Sequence, residues 1–128
     1  MAVLRDRENQ NRYIEYEFIS HIPGDYEGSQ LLLKYFTDSN LIREQKIGWT
    51  NLTIKHFIEM LKTFPNEADD GYFSHFEKHL EIKWMHEEQT DLYLIILMDI
   101  GTLFTLKASK EDMQIFGAQF EDELNNFL

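Results

Sequence analysis

The chain has no cysteine. Disulfides, thiolate metal sites and cysteine nucleophiles are therefore excluded, and the composition suits a reducing compartment. Proline occurs only as Pro23 and Pro65, and the six glycines stand singly. They assemble neither a phosphate loop nor a G-x-G-x-x-G dinucleotide fingerprint, and no G-x-S-x-G nucleophile elbow is present. Basic residues are scarce: 12 Lys and Arg against 23 Asp and Glu leave a net charge of −11. Phosphate-binding surfaces need clustered Lys and Arg, and anionic membrane attracts the same residues. Direct binding to nucleic acid or membrane is not expected. The longest apolar run, "LYLIILM" at residues 92–98, is far too short to span a bilayer. The opening "MAVLRDRENQNRYIEYEF" lacks the apolar centre of a secretory signal. A soluble, cytoplasmic protein without a cofactor is expected.

What the chain does contain is enough for a core. Its 128 residues are 43% apolar, with ten Phe, six Tyr and two Trp. This fits one domain, residues 1–128, rather than disorder, with the polar residues 1–11 expected to be frayed or a short helix. There is no internal repeat, low-complexity tract or linker. The charge is uneven: residues 65–91 carry net −6 and residues 109–128 net −4. Solubility alone accounts for a net charge away from zero; a partner-facing role is the alternative.

Periodicity gives the elements. In "RYIEYEFISHI", Ile14, Tyr16 and Phe18 alternate with Glu15 and Glu17, the period of a strand. "PGDYEGS" reads as a loop, "QLLLKYFT" as a second strand, "DSN" as a tight turn and "LIREQKIGW" as a third strand. The period then changes. Ile54, Phe57, Ile58, Leu61 and Phe64 recur at three- and four-residue steps, predicting an amphipathic helix over 52–64 that stops before Pro65. Leu80, Ile82 and Trp84 alternate as a strand. "LYLIILM" suits a central strand with both faces covered, and "LFTLKA" the return strand after the turn "DIGT". "SKED" fits a capping box with Ser109 as N-cap and Asp112 three residues on. Met113, Phe116, Phe120 and Leu124 then line a helix over 110–126. Short connections favour hairpins, and one-sided helices must bury their stripes. The expected class is α+β: two layers, a mainly antiparallel sheet with two amphipathic helices on one face, in the order β-β-β-α-β-β-β-α.

Chemistry-bearing clusters are few. His75, His79 and His86 lie near one another in sequence, but the segment ends as a strand and residues 76–78 are Phe-Glu-Lys, not the pattern of H-E-x-x-H. On a strand, His75 and His79 would stand about 13 Å apart, too far for one zinc ion, so no metal site is expected. His56, at the edge of the first helix's apolar face, reads as structural. Trp49, Trp84, Phe73 and Phe76 occupy alternating positions that line a core before they form a binding platform. Catalysis is not expected.

One pattern points further. A Trp leads into an amphipathic helix in "IGWTNLTIKHFIEMLKTF", an acidic loop and "FEKHLEI" follow, then the strand pair "LYLIILM" and "LFTLKA" and a closing helix. Over roughly residues 12–128 this resembles the WapI-type immunity proteins, small cytoplasmic partners of bacterial polymorphic toxins. The resemblance implies binding and neutralising a toxin domain, without catalysis. Many toxin domains that attack nucleic acid are basic, and an acidic partner associates with them quickly through electrostatic steering. The acidic loops supply the candidate partner-binding residues: Glu67, Asp69 and Asp70 after the first helix, and Glu87, Glu88 and Asp91 before the central strand. Tyr72, beside the first of these loops, is the candidate aromatic anchor. Two alternatives stand beside this reading. One is an adaptor or inhibitor such as a phage-encoded DNA mimic, with carboxylates spaced like phosphates along one ridge. The other is a small enzyme or ligand-binding domain, with a pocket lined by His56 or by two close carboxylates.

Overall fold

The computed structural model of the chain describes residues 1–66, 70–74, 80–99 and 101–127. Its elements are β1 (Ala2–Arg5), β2 (Tyr13–His21), β3 (Gly28–Thr37), β4 (Asn40–Thr50), α1 (Asn51–Lys62), β5 (Gly71–Phe73), β6 (Leu80–His86), β7 (Leu92–Asp99), β8 (Thr102–Ser109) and α2 (Lys110–Asn125). The α+β class and the antiparallel pairing are as expected, and the strands divide into two four-stranded sheets, β1-β2-β3-β4 and β5-β6-β7-β8. Each sheet is a meander that runs directly into a helix. The topology is therefore ββββα twice over, with one more strand in each half than periodicity reveals.

Both extra strands were hidden for physical reasons. Residues 1–11 are not frayed: Ala2–Arg5 pairs with β2, Ala2 opposite Tyr16 and Leu4 opposite Ile14, and both small apolar side chains are buried. Four residues carry too little alternation to register as a period. Gly71–Phe73 is shorter still, and pairs Gly71 with Trp84. A Cβ at position 71 would fall 2.2 Å from the Trp84 ring, so glycine is what lets this backbone cross the indole.

Turns and caps follow from local chemistry. Asp38 and Ser39 both have positive φ, 53° and 63°, the two-residue geometry whose twist suits a tight hairpin. Each helix begins on the residue after its last strand residue. Thr50 caps α1 by accepting from the Thr53 amide at 3.2 Å. Ser109 caps α2 in the anticipated capping box, accepting from the Asp112 amide at 3.1 Å while its own amide donates to the Asp112 carboxylate at 3.0 Å.

One core joins both halves. Tyr16 of the first sheet packs on Phe57 of α1 and on Phe116 and Phe120 of α2, with ring centroids 5.2–5.9 Å apart. Phe64, just after α1, reaches the second sheet, 5.2 Å from Trp84 and 4.9 Å from Tyr93. The helices touch where Gly117 meets Leu61. A polar clamp also spans the sheets. The Tyr35 hydroxyl donates to Asp99 at 3.1 Å, and the Arg43 guanidinium reaches the same carboxylate at 3.2 Å. Burial raises the Tyr35 pKa first, and the neighbouring Asp99 charge adds to it; the phenol stays a donor.

Candidate functional site

Four of the candidate partner residues, Asp70, Glu87, Glu88 and Asp91, fall at one end of the second sheet. Glu67 and Asp69 lie outside the described residues. Asp70 is exposed, and its carboxylate accepts the His86 amide at 3.0 Å. That bond ties the segment leading into β5 to the β6–β7 turn, so Asp70 stands with Glu87, Glu88 and Asp91. The turn is internally braced. The Glu87 amide donates to the Leu92 carbonyl at 3.0 Å, the Thr90 hydroxyl donates to the Glu87 carbonyl at 3.0 Å, and the Leu92 amide donates back to that hydroxyl at 3.1 Å. Gln89 sits at φ 64°, in the left-handed region. Glu88 and Asp91 are exposed, whereas Glu87 pairs with Lys107 at 3.0 Å, and Glu8 reaches that same lysine at 2.9 Å.

Tyr72 stands apart from this end, along the edge strand. It is 51% exposed and lies opposite Lys83 on the outer face of the sheet. A hydrogen bond with Glu81, helped by partial desolvation, raises its pKa.

Opposed residues in antiparallel strands share a face, so the registers assemble this outer surface row by row. One row runs Tyr72, Lys83, Ile96, Thr105; the next Met85, Leu94, Lys107; the third Glu81, Met98, Leu103. Along β7, Tyr93, Ile95, Leu97 and Asp99 are buried inward, and Leu92, Leu94, Ile96 and Met98 are half-buried on the other side. Met85 (41% exposed) and Leu103 (66%) flank the aliphatic line. The expectation that both faces of "LYLIILM" are covered holds for the inner face, while the outer face is half-buried. The hydrogen-bonded neighbours of β7 among the described elements are β6 and β8.

This aliphatic face is the feature that sequence reading missed. A continuous apolar run gives no period by which to tell a doubly covered strand from one with an apolar outer side. The signal was in its neighbours: "EIKWM" and "LFTLKA" alternate polar and apolar, as strands with one wet face do.

The other candidates resolve as follows. Trp49 and Trp84 are core residues, 2% and 3% exposed, and Phe73 is half-buried against Phe57. Phe76, His75 and His79 lie outside the described residues. His86 donates through Nε2 to the Thr90 carbonyl at 2.9 Å, and its ring packs on Tyr93. No group of three His, Asp or Glu among the described residues is placed to hold a metal ion. His56 is exposed on α1 and lines a recess of about 400 Å³ with Tyr26, Thr50, Leu52, Thr53, Phe73 and Ser74. These lining residues supply no carboxylate to pair with the imidazole. No helix among the described residues is long and apolar enough to cross a membrane. No family model matches the chain, and no curated protein matches it.

Proposed function

We propose that this protein is a non-catalytic binding partner: a small acidic immunity protein of the cytoplasm that holds and neutralises a basic bacterial toxin domain. The observation that carries the reading is a coincidence of chemistry. An aliphatic outer sheet face ends at a braced turn where Asp70, Glu87, Glu88 and Asp91 gather. Protein interfaces take most of their affinity from a desolvated apolar centre with aromatic anchors, and their speed and selectivity from charges at the rim. Tyr72 and the β7 side chains offer the first, and the acidic turn offers the second.

The DNA-mimic alternative is less well supported. On the first sheet the outward carboxylates Glu15, Glu17 and Glu44 interleave with Lys34 and Lys46, and so form no continuous anionic ridge. The enzyme alternative is less well supported: among the described residues, the recess beside His56 offers no carboxylate to pair with the imidazole.

The test is to sequence the flanking genes and co-express this protein with any toxic, variable C-terminal domain of a secreted protein that they encode. Growth should be restored, and the purified proteins should form a stoichiometric complex. Absence of both rescue and complex would remove the immunity reading.

A further inference from the structure

We infer that the outer face of the second sheet seats an amphipathic helix of a partner protein, lying along β7. Its aliphatic stripe would meet Leu94, Ile96 and Met98, and a cluster of Lys or Arg at one end would meet the Glu87–Asp91 turn. The inference deepens the binding reading above and takes from it only that the partner is a basic protein.

Three observations lead to this occupant. The first is the composition of β7. Continuous aliphatic strands are those covered on both faces, and here the core covers only the side that carries Tyr93, Ile95 and Leu97. The outer side has the side chains of a packed layer and exposed flanks, Met85 and Leu103.

The second is size. From Leu92 to Met98 is about 20 Å at strand spacing, and β6 to β8 is about 10 Å across. A helix is about 10–12 Å wide with its side chains, and about 13 residues of it cover 20 Å. One helix laid along β7 fills the stripe between the flanking strands.

The third is polarity of charge. The acids lie at the Leu92 end, with Asp70 joined to the turn through His86. At the opposite end Met98 is flanked by Leu103 and Glu81. Of the two lysines on the face, Lys107 is already engaged by Glu8 and Glu87. A segment that is basic at one end and aliphatic along its length matches this layout. A second copy of the chain does not, because each copy carries net −11 and the two would repel.

The experiment uses a defined probe, a fluorescein-labelled 14-residue helical peptide with leucines at i, i+3, i+4 and i+7 spacing and four lysines at one end. The control peptide has the same charge with alanine for each leucine. Binding is followed by anisotropy, and peptide helicity by circular dichroism. The leucine peptide should bind at least tenfold tighter than the alanine peptide and gain helix on binding. Ile96→Glu should weaken it tenfold or more, although that change adds negative charge. Ile96→Thr, which suits a strand, should weaken it by a smaller factor and guards against loss of fold. Glu15→Gln on the other sheet should leave binding unchanged.

If Ile96→Glu tightens binding or leaves it equal, only charge attracts the peptide and the inference is overturned. Equal binding of the two peptides overturns it as well. So does a dimer in light scattering that dissolves with Ile96→Glu, which would give the face to a second copy. Failure of growth rescue together with tight, Ile96-dependent peptide binding would sink the immunity reading and keep the helix site. Rescue that survives Ile96→Glu would do the reverse.

Discussion

The two halves of this protein share one plan and differ on one surface. Each is a four-stranded antiparallel meander followed at once by a capped helix, Thr50 on α1 and Ser109 on α2. Each sheet buries one face in the common core. The outer face of the first sheet is a ladder of charge: Glu17, Leu32 and Lys46 in one row, Glu15, Lys34 and Glu44 in the next. Lys34 pairs with Glu17 at 3.7 Å, and the stacked Tyr13 and Phe36 rings are capped by the Arg5 guanidinium, 4.2 Å from the Tyr13 centroid. Its exposed aliphatics are Leu41 and Ile42 beside the hairpin tip and Ile19 at the β2 bulge, single positions rather than a continuous line along a central strand. On the second sheet the central strand presents aliphatics throughout. A wet face needs only the first arrangement, so the second calls for a reason other than folding.

The sharpest way to break this comparison is to mutate adjacent residues of β7. Ile95 is 1% exposed in the core, and Ile95→Ala should cost about 2–5 kcal/mol of unfolding free energy. Ile96, its neighbour on the outer side, is already partly in water. Ile96→Ala should cost much less, about 1 kcal/mol or below. Denaturant melts of the two variants decide the matter. Equal losses would mean that the outer face is structural and that the contrast between the sheets carries no functional meaning.

A second test concerns how the halves are joined. A Cβ at Gly117 would lie 2.7 Å from the Leu61 Cβ and 3.2 Å from the Lys62 amide nitrogen. Glycine there lets α2 approach α1 closely. Gly117→Ala improves intrinsic helix propensity, yet overpacking should dominate and destabilise by about 1–3 kcal/mol. A melting temperature that rises instead would mean the contact yields easily and the halves are loosely coupled.

Much of this fold was legible in the sequence. Wherever a segment had one wet face, its period of two or of 3.6 residues gave the element: β2, β6 and both helices, including the capping box at Ser109. What was not legible lacked a period. Ala2–Arg5 and Gly71–Phe73 are too short, and "LYLIILM" is apolar on both sides. The division into two sheets depends on which strand ends meet, as in the Asp99–Tyr35–Arg43 clamp, and local pattern does not encode such a pairing. Of the candidate site, the acids and Tyr72 are proposals from loop composition, and the structure adds only that Asp70 stands with the β6–β7 turn. The aliphatic face between them was not found, because it was read as core.

A third test uses pH on the link between the halves. Arg7, in the segment after β1, reaches Asp112 at the start of α2 at 2.7 Å. Burial alone would raise the Asp112 pKa, but hydrogen bonds from Arg7 and Ser109, with the Arg7 charge, hold it below the usual carboxylate value. A folded-state pKa below the unfolded value stabilises above the unfolded value, about 3.9, and that stability is lost as pH falls through the folded value. Asp112→Asn should therefore lower the unfolding free energy near neutral pH by about 1 kcal/mol, including the lost cap contact. The gap to wild type should close below about pH 4. A gap that stays constant down to pH 3 would show that Asp112 acts by shape and not by charge.

The smallest effect on the fold, and the most telling for the comparison, should come from neutralising the acidic end of the second sheet. Glu88 and Asp91 are exposed, and Glu87 shares Lys107 with Glu8. Exposed pairs of this kind contribute about 0–1 kcal/mol. Glu87→Gln, Glu88→Gln and Asp91→Asn together should thus melt within about 1 kcal/mol of wild type. Their effect belongs to association. If these charges steer a basic partner, the rate of binding to the proposed partner should fall several-fold at low salt, and its dependence on ionic strength should flatten. Dissociation should change little, because the rim contributes less than the centre. The matching triple on the first sheet, Glu15→Gln, Glu17→Gln and Glu44→Gln, removes as many charges from the same molecule and should slow association only slightly, through net charge alone. Stopped-flow rates across a salt series separate the two. If both triples slow binding equally, steering comes from the net charge of −11 and the acidic turn has no privileged place. If only the first does, the difference between the two outer faces extends from their side chains to the way a partner approaches.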